Sequence, residues 1–524
     1  MRLNPTLVSL DDLLVAISED LDLPPRMLPP SVVATALLAR RDEVAQWAHR
    51  QLSGEFLPTP EETVSVSKAR HGVRPVAVWD LPSRLLYRAL VGRLQDVLPK
   101  VNRGRKQWQA FERLPLEHGG PYVLTADITA CYQYVDYGFL SEELLVQGGD
   151  PQAVDALIAL LSTTSGRSYG LPQQSRTSDA LAEAFLDKLE RALVRRDLRA
   201  SRYNDDFRFA CRSWSDVVRA IEVLSEEARI MGLTVNDHKT VTWRRARYKA
   251  HLDEADALRQ EIADEAKLDL TKLDTDDYDD SVVVTPPDER DVDLLASARV
   301  LERWESVAGR RGMVPTRRRA EHRAVLELLP LALATLGTEP GTDGEILTTC
   351  MRLLRYQQTA TPAVGRYLSG RNDEGLVLDA FDGLLRRRAY VNGWQTWWLQ
   401  QTVARMPGFA TGRGSPARLR WARNALGTAE HTPVLRAHAA MTLARHRQIG
   451  LDELLGIYAR SSTTIRPVLV AAIALLEPGA GVARAVKDDS TLHKWVYDHT
   501  ASYGRDAAHD GARRGRAPVP RAPR

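Results

Sequence analysis

Residues 201–213 read SRYNDDFRFACRS, and the pair Asp205–Asp206 at their centre decides how the rest of the chain is read. On either side of that pair the residues alternate as in a half-buried strand, with Phe207, Phe209 and Cys211 on one face. The segment therefore predicts a tight β-hairpin carrying two carboxylates at its tip. Adjacent aspartates repel each other unless cations sit between them. An isolated Asp-Asp pair is nevertheless common in turns, so the pair gains meaning only beside a further acid. Residues 123–136, VLTADITACYQYVD, offer one: a β-rich run ends on Asp127, and an aromatic residue, Tyr132, follows five positions later. A strand-end carboxylate meeting a hairpin-tip pair is the donor set that phosphoryl transfer with two divalent ions needs. Such ions lie roughly 4 Å apart, one activating the attacking hydroxyl and one holding the departing pyrophosphate.

Four segments, in order, resemble the polymerase motifs of reverse transcriptases. The strand with Asp127 and Tyr132 resembles motif A. Gly170, Leu171, Pro172 and Gln173, followed by Ser178, resemble motif B; Tyr203 to Asp206 is similar to the Y-x-D-D of motif C; Gly232, Leu233, Asn236, Lys239 and Thr240 resemble motif D. Upstream, Lys68, Arg74, Pro75, Asp80 and Arg84 look like the fingers strands of that family. The resemblance covers about residues 60 to 250, and its weight comes from order and spacing more than from any one motif.

The resemblance implies roles. Asp127 and Asp205 would ligate the metals with Asp206 in support and Ile128 completing the metal set, and the ion would be Mg²⁺, with Mn²⁺ as the alternative. Tyr132 would lie under the sugar of the incoming nucleotide and exclude a 2′-hydroxyl, which argues against an RNA polymerase. Lys68 and Arg74 would grip the triphosphate. Gln173 and Tyr203 would contact the nucleotide, and Lys239 would act as a catalytic group that protonates or neutralises the leaving pyrophosphate. Two positions depart from the family pattern: Gln174 stands where a second glycine is usual, and Asp179 where a proline follows the serine. Residues 244–266 show no match to a primer-grip hairpin or thumb.

Outward from this core, 524 residues exceed what one hydrophobic core organises. The fold class expected is α+β: a right-hand polymerase fingers-palm core followed by an all-α helical-repeat domain. Residues 1–55 read as an N-terminal helical segment, with Ser31 as a helix N-cap, and 56–250 as reverse-transcriptase-like fingers and palm. Residues 251–288 read as a helix plus an acidic linker, 289–503 as an all-helical domain with HEAT-like repeats, and 504–524 as a disordered basic tail. TPVLRAHAAMTLA from Thr432 resembles RPVLVAAIALLEP from Arg466, a period of 34 residues that suggests stacked helix pairs. Trp394, Trp397 and Trp398 at helical spacing read as packing between helices rather than as a base-stacking surface.

The composition, 44% hydrophobic and 27% charged, is that of an ordinary soluble protein. The net charge of +3 is too small to indicate a polyanionic partner by itself. Basic clusters such as Arg103, Arg105 and Lys106, or Arg244, Arg245, Arg247 and Lys249, flank the core and fit nucleic acid there. Cys131, Cys211 and Cys350 are distant and odd in number, as expected of reduced thiols. No apolar run reaches membrane-spanning length, and the expected location is cytoplasmic.

The expected function is RNA-directed DNA synthesis, a nucleotidyl transfer from deoxynucleoside triphosphates with RNA or DNA as partner, no membrane, and a homo-oligomer left open. The helical C-terminal half, without maturase, integrase or nuclease motifs, resembles bacterial reverse transcriptases of abortive-infection and related antiviral defence systems. Two alternatives stand beside this: template-independent or protein-primed synthesis by the same site, and a catalytically silent nucleic-acid-binding scaffold.

Overall fold

The computed structural model describes residues 7–22, 27–68, 72–101, 103–265, 273–275, 282–284, 294–309, 314–315, 318–339, 341–386, 391–479, 481 and 483–514. The chain begins with three helices, α1 (Leu10–Asp22), α2 (Val32–Leu37) and α3 (Arg41–Leu52). Ser31 caps α2, its Oγ accepting the Val33 N–H at 3.2 Å, which satisfies one of the donors that a helix start leaves open. The alternating runs that follow pair as an antiparallel hairpin, β1 (Glu62–Ser67) with β2 (Val73–Val78), in which Val66 faces Arg74. Asp80 then caps α4 (Leu81–Arg93) by accepting the Ser83 N–H at 2.8 Å.

After α5 (Arg105–Glu117) the chain enters a four-stranded antiparallel sheet. Its strands are β3 (Tyr122–Asp127), β4 (Ala200–Tyr203), β5 (Asp206–Cys211) and β6 (Val241–Arg244), in the order β4-β5-β3-β6. Between them run α6 (Tyr137–Val146), α7 (Pro151–Ser165), α8 (Arg176–Arg195) and α9 (Trp214–Ile230), and α10 (Arg245–Glu265) follows β6. Both faces of the sheet are covered. Leu124 joins the main core with Phe207 and Phe209, while its neighbour Val123, pointing the other way, packs with Tyr248 and Leu252 of α10. This is why β5 is buried along nearly its whole length instead of alternating. Phe207 and Phe209, 0% and 1% exposed, stabilise the sheet by about 1.5–3 kcal/mol each.

The segment read as an acidic linker contains two further strands, β7 (Leu273–Thr275) and β8 (Val282–Val284), paired antiparallel. The β-branched run Val282–Val284 is what turns a charged connection into a hairpin. Most of the linker's Pro pair and charge shift lie outside the described residues.

From Leu294 onward the described elements are helices. The two 34-residue repeats fall on the helices Pro433–Arg445 and Arg466–Leu476, which pack directly against each other. Trp394, Trp397 and Trp398 are buried, as the packing reading requires. Trp394 and Trp398 also fasten the helical region to the N-terminal segment, since both indole N–H groups donate to the Met27 carbonyl, at 2.5 and 3.0 Å. Asn392 Nδ2 donates to Ser67 Oγ at 2.8 Å, so the β1–β2 hairpin rests on the helical region too. The last helix, Thr491–Arg514, extends into the stretch read as a disordered tail. Ala507, Ala508 and Ala512 favour helix there, and the first proline of the tail, Pro518, lies beyond it; residues 515–524 lie outside the described residues. The three cysteines are free and buried. Among the described residues no helix is long and apolar enough to cross a membrane.

Candidate active site

The β4–β5 hairpin closes on a two-residue turn, Asn204–Asp205, with Tyr203 paired to Asp206. Asn204 sits at φ +55°, a left-handed conformation that Asn tolerates better than most residues. In the neighbouring strand Asp127 is the register partner of Asp206. The Ile128 N–H donates to the Asp205 carbonyl at 3.0 Å, so the end of β3 and the hairpin tip are tied by backbone as well. These constraints bring one carboxylate oxygen each of Asp127, Asp205 and Asp206 within 4.8 Å of one another.

Such a concentration of negative charge is expensive. Burial raises the Asp205 carboxyl well above the usual carboxylate range, and the charges of Asp127 and Asp206 push it the same way, with Lys239 opposing. Asp127, 4% exposed, is held on both oxygens: Lys239 Nζ lies 2.9 Å from Oδ1, and Asn236 Nδ2 donates to Oδ2 at 3.1 Å. The Asn236 N–H also donates to the Asp127 carbonyl at 2.8 Å. Asp206 pairs with Arg208 at 3.2 Å, and that guanidinium lies over the Phe111 ring at 4.9 Å. The donor set is all oxygen, the chemistry that hard divalent cations take, and the crowding is of the kind a cation relieves.

The loop of Gly170 to Gln173 is bound to the turn after β3, with the Leu171 N–H donating to the Tyr132 carbonyl at 2.7 Å and the Gly170 N–H to the Val135 carbonyl at 2.9 Å. Gln173 is buried at 7% exposure. Gln174, standing where the family pattern has glycine, adopts φ +63°. The backbone thus has a glycine-like shape under a side chain that strains it by roughly 1–2 kcal/mol. Tyr132, 4% exposed, donates its hydroxyl proton to Asp179 Oδ1 at 2.8 Å and accepts from Arg103 Nη1 at 3.0 Å. The second departure, Asp179, is therefore a hydrogen-bond partner of Tyr132.

Tyr203 packs its ring on Trp108 and Phe111 and accepts the Gly104 N–H at 3.0 Å. Lys68 and Arg74 belong to the β1–β2 hairpin, a sheet separate from the strands that carry the acids. Sequence reasoning gave no role to Glu183 or Arg208 and read Arg103 only as part of a basic cluster; Lys239, expected to act on the leaving pyrophosphate, lies against Asp127. A local signal for the Arg103 contacts was the misfit of its partner Asp179 to the pattern quoted above.

Residues 66–262 match the family described as reverse transcriptase (RNA-dependent DNA polymerase). Among solved structures, telomerase from Candida albicans in complex with a TWJ fragment of telomeric RNA aligns at 10% identity, covering 63% of this chain and 64% of that chain, with a TM-score of 0.29. Apo telomerase from Candida tropicalis aligns at 12% identity over 66% of this chain and 69% of that chain, with a TM-score of 0.29. The chain thus spans 64% of the length of the first of these structures. A search of curated proteins finds no match. The stretch from residue 66 to residue 262, which carries Asp127, Asp205 and Asp206, thus matches a reverse-transcriptase domain.

Proposed function

We propose that this chain adds deoxynucleotides to a 3′-hydroxyl with Asp127, Asp205 and Asp206 as its metal-binding carboxylates, working on RNA or DNA in bacterial antiviral defence. The observation that carries the chemistry is the convergence of those three side chains within 4.8 Å inside the matched domain. Divalent cations bound there, Mg²⁺ or alternatively Mn²⁺, would supply activation of the 3′-hydroxyl and neutralisation of the departing pyrophosphate. The defence setting is supported by architecture alone: a polymerase core followed by stacked helices.

The remaining work belongs to the chain's own residues. Asn236 and the backbone of Ile128 keep Asp127 and the hairpin tip in fixed relation. Lys239, with 35% of its side chain exposed, pairs with Asp127 and would turn its ammonium toward phosphate oxygens as charge develops on them. Tyr132 closes the sugar side of the pocket, and Lys68 and Arg74 meet the triphosphate from the β1–β2 hairpin.

The test is incorporation of labelled deoxynucleotide by the purified chain in Mg²⁺ or Mn²⁺. The wild type incorporates, and the Asp205→Asn, Asp206→Asn double variant does not while keeping its circular dichroism spectrum. Full activity in that folded variant would remove the reading.

A further inference from the structure

Arg103 belongs to none of the polymerase motifs quoted above, yet it bonds to three of them. It enters from the irregular segment between α4 and α5 with its side chain only 7% exposed. Nη1 donates to the Tyr132 hydroxyl at 3.0 Å and lies 3.0 Å from Asp179 Oδ1. Nη2 donates to Glu183 Oε1 at 3.0 Å and to Asn204 Oδ1 at 3.1 Å. The next residue, Gly104, donates its N–H to the Tyr203 hydroxyl at 3.0 Å. One guanidinium thus joins the turn after β3, the first turns of α8 and the hairpin residue immediately before Asp205.

The bonding pattern needs an arginine. Four acceptors on three elements require a planar fork with fixed donor directions, which a lysine ammonium does not have. The charges are matched as well, because Glu183 is shared with Arg202 of β4 at 2.8 Å, and Arg202 Nη1 in turn donates to the Asn204 carbonyl at 3.2 Å. Asn204 is therefore held by side chain and backbone in its left-handed conformation, and with it the position of Asp205 relative to Asp127.

We propose that Arg103 is a positioning residue that couples the metal-binding hairpin to Tyr132, so that metal affinity and the choice between deoxy- and ribonucleotide are set together by one buried guanidinium. This rests on the polymerase reading above and specifies how its site is held.

The experiment compares wild type with Arg103→Ala, Arg103→Lys and Asp179→Asn in the full chain. It measures kcat/KM for deoxy- and ribonucleoside triphosphates, the Mg²⁺ concentration at half-maximal rate, and Tm. In Arg103→Ala the Mg²⁺ midpoint rises by about tenfold, the scale seen when an outer partner of a metal ligand is lost, and deoxynucleotide preference falls at the same time. Arg103→Lys shifts both in the same direction by less. Asp179→Asn lowers the preference and leaves the midpoint in place, because Arg103 keeps Glu183 and Asn204. If Arg103→Ala does not fold, Arg103→Lys decides. A variant whose rate and Tm fall while midpoint and preference stay at wild-type values overturns the proposal, since a merely structural role would do that. If the wild type incorporates neither nucleotide, the polymerase reading falls and this proposal with it; a working, selective wild type beside unresponsive variants removes the proposal alone.

Discussion

The β4–β5 hairpin holds half-buried ionisable side chains and the helical region fully buried ones, and the two treat them in opposite ways. In the helix Pro433–Arg445, His438 is 2% exposed, its ring lies 4.9 Å from that of Trp397, and its Nδ1 accepts from Gln401 Nε2 at 2.7 Å. Burial, with Arg405 adding to it, pushes this imidazole down to about 3, so at neutral pH it is an uncharged packing group. At the hairpin tip, burial and the charges of Asp127 and Asp206 push Asp205 up, and the crowding is relieved only by moving a cation or a proton into the cluster. One region uses a buried polar group to specify packing. The other maintains an electrostatic conflict that packing alone would have removed, and such conflicts mark sites of chemistry.

The largest effect should therefore separate activity from stability. Asp205→Asn keeps the shape of the turn and removes one of three crowded charges. Nucleotide incorporation should fall by about a thousandfold or more, the scale of losing a group that stabilises transition-state charge. In metal-free buffer the Tm should hold or rise, because like-charge repulsion of roughly 1 kcal/mol is relieved. Added Mg²⁺ should raise the Tm of the wild type and not that of the variant. A variant that loses activity and melts earlier would break the contrast.

Trp394→Ala should do the reverse. The indole is 1% exposed and donates to the Met27 carbonyl, so truncation leaves a cavity and an abandoned acceptor together. Roughly 3–5 kcal/mol of stability should be lost, read from urea unfolding. Incorporation per folded molecule should stay near wild type.

The same division explains what was legible in the sequence. The acids, the hairpin and the strand ending on Asp127 are written locally, through alternation and turn residues, and the fold places them accordingly. The helices after Leu294 are legible through spacing, and Ser31 through cap chemistry. Contacts between distant segments have no local signature. Nothing in the residues around Met27 indicates that its carbonyl receives two tryptophans from the distant helical region. Arg103 read only as one of a basic cluster, because Tyr132, Asp179, Glu183 and Asn204, which it bonds, lie 29 to 101 positions away. The hairpin β7–β8 was hidden by the acidic residues around it, whose charge outweighed the short valine run. Gln174 reads as a departure from glycine, yet its φ of +63° is a conformation that glycine favours.

His438 supplies a pH test of the packing side of the comparison. Its folded value of about 3 lies below the ordinary 6.5. Above pH 6.5 neither folded nor unfolded chain takes up this proton, and the site adds no slope. Below it the unfolded chain binds a proton that the folded chain refuses, so stability should fall by about 1.4 kcal/mol per pH unit from 6.5 toward 3. His438→Gln should remove that contribution from the acid limb of the unfolding profile. An unchanged slope would mean that the imidazole is charged, and the contrast with Asp205 would lose its neutral member.

The smallest effect concerns how rigidly the helical region holds its tryptophans. Gly365 lies in the helix Thr361–Ser369, where a Cβ would meet Trp398 Cε3 at 2.8 Å and Thr402 Cγ2 at 3.5 Å. Alanine improves helix propensity by about 1 kcal/mol, while overpacking costs about 1–3 kcal/mol when the neighbour cannot yield. Trp398 is tethered through its indole N–H to Met27 and cannot swing away without losing that bond. Gly365→Ala should therefore lower stability by roughly 1 kcal/mol on balance, measured as a shift in the urea midpoint, with incorporation unchanged. A gain in stability would show that the indole moves freely, and the fastening between the helical region and the N-terminal segment would then be looser than its hydrogen bonds imply.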